Sequence, residues 1–184
     1  MSMVRVGRWT RLILIALLST ALLSGCQQIR TNLGLGSSGD SNVGREVERS
    51  MRRMMRAAPS LERDHVLIVT SFANVDALGR SSRLGRMLGQ HSAASITRRG
   101  FNVVEILLSD TLYIDPKQGE FLLTRDVARL ASRYEADAVV VGTYTVAHDI
   151  VYVTSKLVRS SDALVLAADN FELSIGPNMR RLLH

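Results

Sequence analysis

One cysteine, Cys26, is all this chain of 184 residues contains, so no intramolecular disulfide framework can hold it. Its four histidines, His65, His91, His148 and His184, are scattered. With no H-E-x-x-H and no Cys/His cluster they offer no metal-ligand spacing. There is no G-x-S-x-G elbow and no Walker loop, which removes the common serine-hydrolase and phosphate-cradle signatures. Ser155 and Lys156 are adjacent in a strand-like run, which turns them to opposite faces and excludes a Ser-Lys dyad. The longest apolar run, starting near Leu12, holds about a dozen residues, short of the 20 or so that a membrane-spanning helix needs.

What is present begins with that run. Arg5, Arg8 and Arg11 precede LILIALLSTALL, and Ser24 and Gly25 follow it. A basic head, an apolar stretch and a small-residue cleavage zone make a secretory signal peptide over residues 1–25. Leu23, Ser24, Gly25 and Cys26 then resemble the lipobox of bacterial lipoproteins. The resemblance implies cleavage before Cys26 and acyl chains on its thiol and amino terminus. Each buried methylene contributes about 0.8 kcal/mol, and two or more chains hold stably where one is marginal. By the same resemblance Gln27, where aspartate would signal inner-membrane retention, implies delivery to the outer membrane. The covalent lipid is the only non-protein group expected, with no cofactor and no metal.

The formal charge of +6 and isoelectric point near 10.2 first suggest an anionic partner. Three of those charges leave with the signal peptide, which reduces the balance to +3. From Val66 onward 13 basic residues face 12 acidic ones. Nucleic acid is therefore not an expected partner.

Residues 26–44, rich in Gly, Ser and Asn, read as a flexible tether averaging about 25 Å end to end. GLGSSG within it satisfies G-x-G-x-x-G literally, but no strand precedes it, so the dinucleotide geometry is missing. Residues 45–58 predict a short amphipathic helix with Val47, Met51, Met54, Met55 and Ala58 near one face. That face could dock on the following domain or lie on lipid headgroups.

Residues 65–175 read as a single α/β domain and 176–184 as a tail. HVLIVTSF has the continuous apolar character of a buried strand. Ser81 or Ser82 caps a helix running to about Arg99, in which Gly85 and Gly89 trade helix propensity for close approach to a sheet. FNVVEILL is a second strand. After the loop Ser109–Glu120, Thr124 caps a second helix, and AVVVGTYTV, IVYVTSKLV and ALVLAADNFEL follow as three strands. The order strand-helix-strand-helix-strand-strand-strand predicts a mixed sheet with a parallel core, right-handed crossovers and antiparallel final hairpins. Asp110, Asp115 and Glu120 in the loop could do acid-base work, although turn carboxylates are ordinarily just solvated. Tyr113 and Ile114 are apolar groups suited to anchoring an interface.

TSFANVD, SSRLGRML, RRGFNVVEI, GEFLLTRDVARLA, ADAVVVGTY and VYVTSKLVRSSDALVLA, in order from about Thr70, resemble the FlgO domain of flagella-associated outer-membrane lipoproteins. Gly119 to Asp126 and Val141 to Tyr144 are the most specific runs. The resemblance implies a fold similar to the amino-terminal domain of TolB and to lipoproteins that assemble curli pores or activate cell-wall synthases. It implies a non-enzymatic role in flagellar or related envelope assembly and motility, with a cell-wall synthase activator as the alternative. Envelope or flagellar proteins are the implied partners, self-association is left open, and the globular part is placed in the periplasm. Interaction candidates are Tyr113, Ile114, Asp115, Glu120 and Arg125. Asp162-Ala163 departs from the Asp-Gly expected in the last hairpin.

Overall fold

Strand β1 (Val66–Thr70) is almost wholly buried because it lies between two parallel neighbours. The computed structural model describes residues 39–78, 80–106 and 131–183. Within them β2 (Ala73–Asn74), β3 (Asn102–Ile106), β4 (Ala138–Val146), β5 (Ile150–Arg159) and β6 (Val165–Ser174) complete one six-stranded sheet. The order is β3-β1-β4-β5-β6, with β2 pairing β4 off this path. Pairing is parallel from β3 to β4 and antiparallel from β4 to β6, as the strand and helix order predicts. The predicted helix from Thr124 lies outside the described residues except for its end, where residues 131–133 are helical. The signal peptide and most of the tether lie outside them too.

Helices α1 (Val43–Ala57), α2 (Arg83–Thr97) and α3 (Pro177–Leu183) cover one sheet face. Val47, Met51, Met54, Leu84, Leu88, Ile96 and Met179 meet Leu67, Val69, Val140, Val153, Leu157 and Leu173 there in one apolar cluster. A smaller cluster on the opposite face joins Ile68, Val139, Val141 and Val158 to Ala131 and Ala136. Residues from Gly39 onward thus form a compact unit with its own core.

Of the two fates predicted for the amphipathic helix, α1 takes docking. Its apolar stripe is inside the core, and ion pairs at Glu48 and Arg53 hold it in place. Arg53 donates twice to Asp169 on β6, at 2.9 and 2.6 Å. Burial pushes the Asp169 carboxyl up, but the hydrogen bonds and charge of Arg53, together with the other hydrogen bonds to the group, outweigh it and hold it below its usual value. Glu48 is bound by both Arg98 and Arg99 just past α2. Chiefly through the hydrogen bond from Arg99, its pKa falls to about 2, so this link stays ionised across the neutral range.

Two boundaries differ from the sequence reading. The tether does not run to residue 44: Asn42 caps α1 by accepting from the Arg45 N–H, and Ser41 Oγ accepts from the Ser174 N–H at 2.8 Å. Residues 176–184 are not a plain tail, because α3 packs there with Met179 buried. Its first N–H groups, on Asn178 and Met179, donate to Asp40. A cap supplied from about 140 positions away leaves no local signature.

The β5–β6 turn explains the Asp-Ala departure. Ala163 has φ of 59°, in the left-handed region, while Asp162 accepts from the Leu164 N–H and from Arg159. A side chain is disfavoured at such a position. Ala163→Gly is expected to stabilise the protein by about 0.5–1 kcal/mol, strain relief exceeding the added unfolded-state entropy. Thermal melting checks this: a rise of a few degrees is expected, and a fall would show that the turn carries no strain.

Candidate functional site

In open α/β sheets, ligands sit beyond the carboxyl ends of the parallel strands, so that edge is the first place to look. Here it is filled. The chain leaving β1 brings Phe72 against α2, where the Phe72 N–H donates to the Gly85 carbonyl at 3.0 Å. Ser82, the residue that caps α2, accepts from the Gly85 N–H at 2.9 Å and from the Tyr144 hydroxyl at 2.7 Å. Gly142 leaves room for the Phe72 ring, which a Cβ would meet at 2.2 Å. Gly85 and Gly89 approach the backbone carbonyls of Phe72 and Thr70, confirming the close approach read from their sequence. The V-G-T-Y, T-S-F and S-S-R-L-G runs therefore converge on one junction, and that junction is structural.

The other parallel-strand end carries a groove of about 570 Å³ between the residues before β1, the segment entering β4 and the β5–β6 turn. Leu61, Ala131, Ala136 and Leu166 supply its apolar lining, and His65, Glu135, Asp137 and Arg159 its polar groups. Two of the latter already serve the backbone. Asp137 accepts from the Val66 N–H at 2.8 Å, and the His65 ring accepts from the Glu62 N–H at 3.2 Å. Arg159 holds Asp162 at 2.9 Å. Exposed apolar side chains neighbour lining residues along the chain: Tyr134, before Glu135, is 40 % exposed, and Leu164 and Val165, before Leu166, are 52 % and 46 % exposed. An apolar groove with such neighbours suits contact with a protein surface.

The interaction candidates Tyr113, Ile114, Asp115, Glu120 and Arg125, and Cys26, lie outside the described residues. Sequence reading missed the groove, since its walls come from positions near 60, 135 and 160 that only the β1–β4–β5 pairing joins. Among the described residues no cluster of three metal-binding side chains occurs, and no helix is long and apolar enough to cross a membrane. Ser155 is fully buried, and its hydroxyl has no hydrogen-bond partner among the described residues. It offers no nucleophile.

Comparison with known proteins agrees with this architecture. The chain is similar to the LpoB C-terminal domain from Salmonella enterica, with a TM-score of 0.54 and 13 % identity over 73 % of this chain and 100 % of that one. It is similar to E. coli LpoB, with a TM-score of 0.50 and 12 % identity over 70 % of this chain and 65 % of that one. These likenesses show the fold, a single α/β domain with a mixed sheet. The PelC dodecamer from Paraburkholderia phytofirmans matches at 18 % identity over 63 % of this chain and 75 % of that one, with a TM-score of 0.43. No curated protein matches the sequence. The family model described as FlgO protein matches residues 48–178, from the first third of α1 into α3 and so across nearly the whole folded unit; the chain belongs to the FlgO family.

Proposed function

We propose that this protein is an outer-membrane lipoprotein, anchored through lipid on Cys26, whose folded unit acts by protein contact in flagellar or related envelope assembly rather than by catalysis. The observation that carries the reading is the groove between β1, β4 and β5. Leu61, Ala131, Ala136 and Leu166 give it apolar walls, Asp137 and His65 are engaged with backbone groups, and Tyr134, Leu164 and Val165, next to lining residues in the chain, are exposed. Family membership supports the flagellar setting, and the lipobox-like Leu23 to Cys26 supports the anchor.

Deleting the gene in a flagellated host is expected to reduce swimming, with recovery on complementation by the parent but not by Tyr134→Ser/Leu164→Ser. That double variant should melt within about 2 °C of the parent, because surface changes usually stay within ±0.5 kcal/mol. Normal motility with intact flagella after deletion would sink the flagellar reading. The fold likeness to LpoB keeps the cell-wall synthase activator in view; slowed cell-wall synthesis with normal swimming would select it. Mass spectrometry of the mature amino terminus tests the anchor separately, with acylated Cys26 expected.

A further inference from the structure

The side of α1 turned away from the sheet carries Arg45, Arg49, Arg52 and Arg56, all exposed. Spaced four, three and four apart, at about 100° per residue they fall within about 60° of one another, opposite Val47, Met51 and Met54. The stripe is about 16 Å long. Arg49 reaches Glu46 at 2.9 Å. Among the described residues, Arg45, Arg52 and Arg56 have no acidic partner at ion-pair distance.

The stripe belongs to a larger division of charge. Helices α1, α2 and α3, with Arg98 and Arg99 after α2, carry eleven arginines against Glu46 and Glu48. The other described residues carry five basic side chains against eleven acidic ones. A unit with a positive helical layer and a negative remainder is turned by an anionic surface so that its helices face it. Chain geometry points the same way. Val43 follows Cys26 by only 17 residues. Helix α1 is therefore the first described element reached from the anchor.

We propose that the outer face of α1 docks on the anionic phospholipid headgroups of the bilayer that carries the anchor, with Arg45, Arg49, Arg52 and Arg56 pairing with headgroup phosphates. The proposal rests on the lipoprotein reading for its geometry. Guanidinium groups fit phosphate through paired hydrogen bonds. Because the apolar stripe of α1 is committed to the core, the contact is electrostatic and the helix does not insert. Docking would lay the helical layer on the bilayer and leave the sheet's other face toward the periplasm.

The test uses the chain from residue 26 onward, which keeps the whole folded unit, with Cys26→Ser so that no lipid can anchor it. It is floated with phosphatidylglycerol-rich or pure phosphatidylcholine vesicles. Binding to the first and not the second is expected, lost at about 1 M salt, where the screening length is near 3 Å. Each arginine near the surface is worth about fivefold. Arg45→Gln/Arg49→Gln/Arg52→Gln/Arg56→Gln should therefore weaken binding at least tenfold while the melting temperature stays within a few degrees, and the matching four-lysine variant should retain most of it. Equal binding to both vesicles, or a glutamine variant that binds like the parent, overturns the proposal. Binding to neither also overturns it and turns the stripe toward an acidic protein surface. None of these outcomes touches the anchor, which the mass of the native amino terminus decides.

Discussion

Gly85→Ala is expected to destabilise the protein by about 3 kcal/mol or more, although alanine is the better helix former by about 1 kcal/mol. A Cβ at Gly85 would stand 2.1 Å from the Phe72 carbonyl oxygen. That oxygen cannot step aside easily. The Phe72 N–H is bonded to Gly85, Ala73 pairs with Thr143, and the Phe72 ring fills the space left by Gly142. Relief requires α2 to lift from the sheet by about 1 Å, opening the contacts of Leu84 and Leu88, both fully buried. Gly89→Ala provides an internal scale, because its Cβ would meet the Thr70 carbonyl at 2.8 Å. There the deficit is smaller, and a cost of about 1–2 kcal/mol is expected. Denaturant unfolding measures both. The order Gly85→Ala below Gly89→Ala below parent is the expected result, and an alanine at 85 that matches the parent would contradict the close approach.

The second large effect concerns α1. Met51→Ala and Met54→Ala should each cost about 2–5 kcal/mol, since both side chains are buried, at 0 % and 1 % exposure, against the main apolar cluster. They lie one turn apart and share neighbours, so the double variant is not expected to equal their sum. A helix that rested its apolar face on lipid would respond differently: truncation would weaken membrane contact and leave the unfolding midpoint in water alone. Midpoints unchanged within about 0.5 kcal/mol would reject the docked position of α1. The arginine substitutions on the opposite face predict the reverse pattern, with stability kept and vesicle binding lost. The two faces can therefore be separated by experiment.

Much of the fold was legible because its signals are local. The run AVVVGTYTV became β4 with the same ends, and IVYVTSKLV became β5 with one added residue. Each is long, rich in β-branched residues and bounded by turn residues. A cap at Ser81 or Ser82 was legible, with Ser82 taking it, as were Gly85 and Gly89 as close-approach positions, since each residue type has few other uses there. Asp162-Ala163 was visible as a departure, but only the φ of Ala163 showed that the turn still takes the left-handed form without glycine. The groove was not legible. Its lining residues are unremarkable one at a time, and their meeting depends on the pairing of β1 with β4, about 70 positions apart, and of β4 with β5.

By itself the sequence determined the alternation of strands and helices, the amphipathic character of residues 45–58 and the setting of Cys26 behind a basic and apolar leader. All of these follow from periodicity or adjacency within some 20 residues. Only the tertiary structure decided what covers each face. It placed the methionines of α1 in the core and left its arginines outside, joined α3 to Asp40, and closed the carboxyl ends of β1 and β4 with Phe72. An apolar stripe specifies that it must be buried but not against what. That choice is made by the summed contacts of distant segments, here the sheet face offered by β1, β4, β5 and β6.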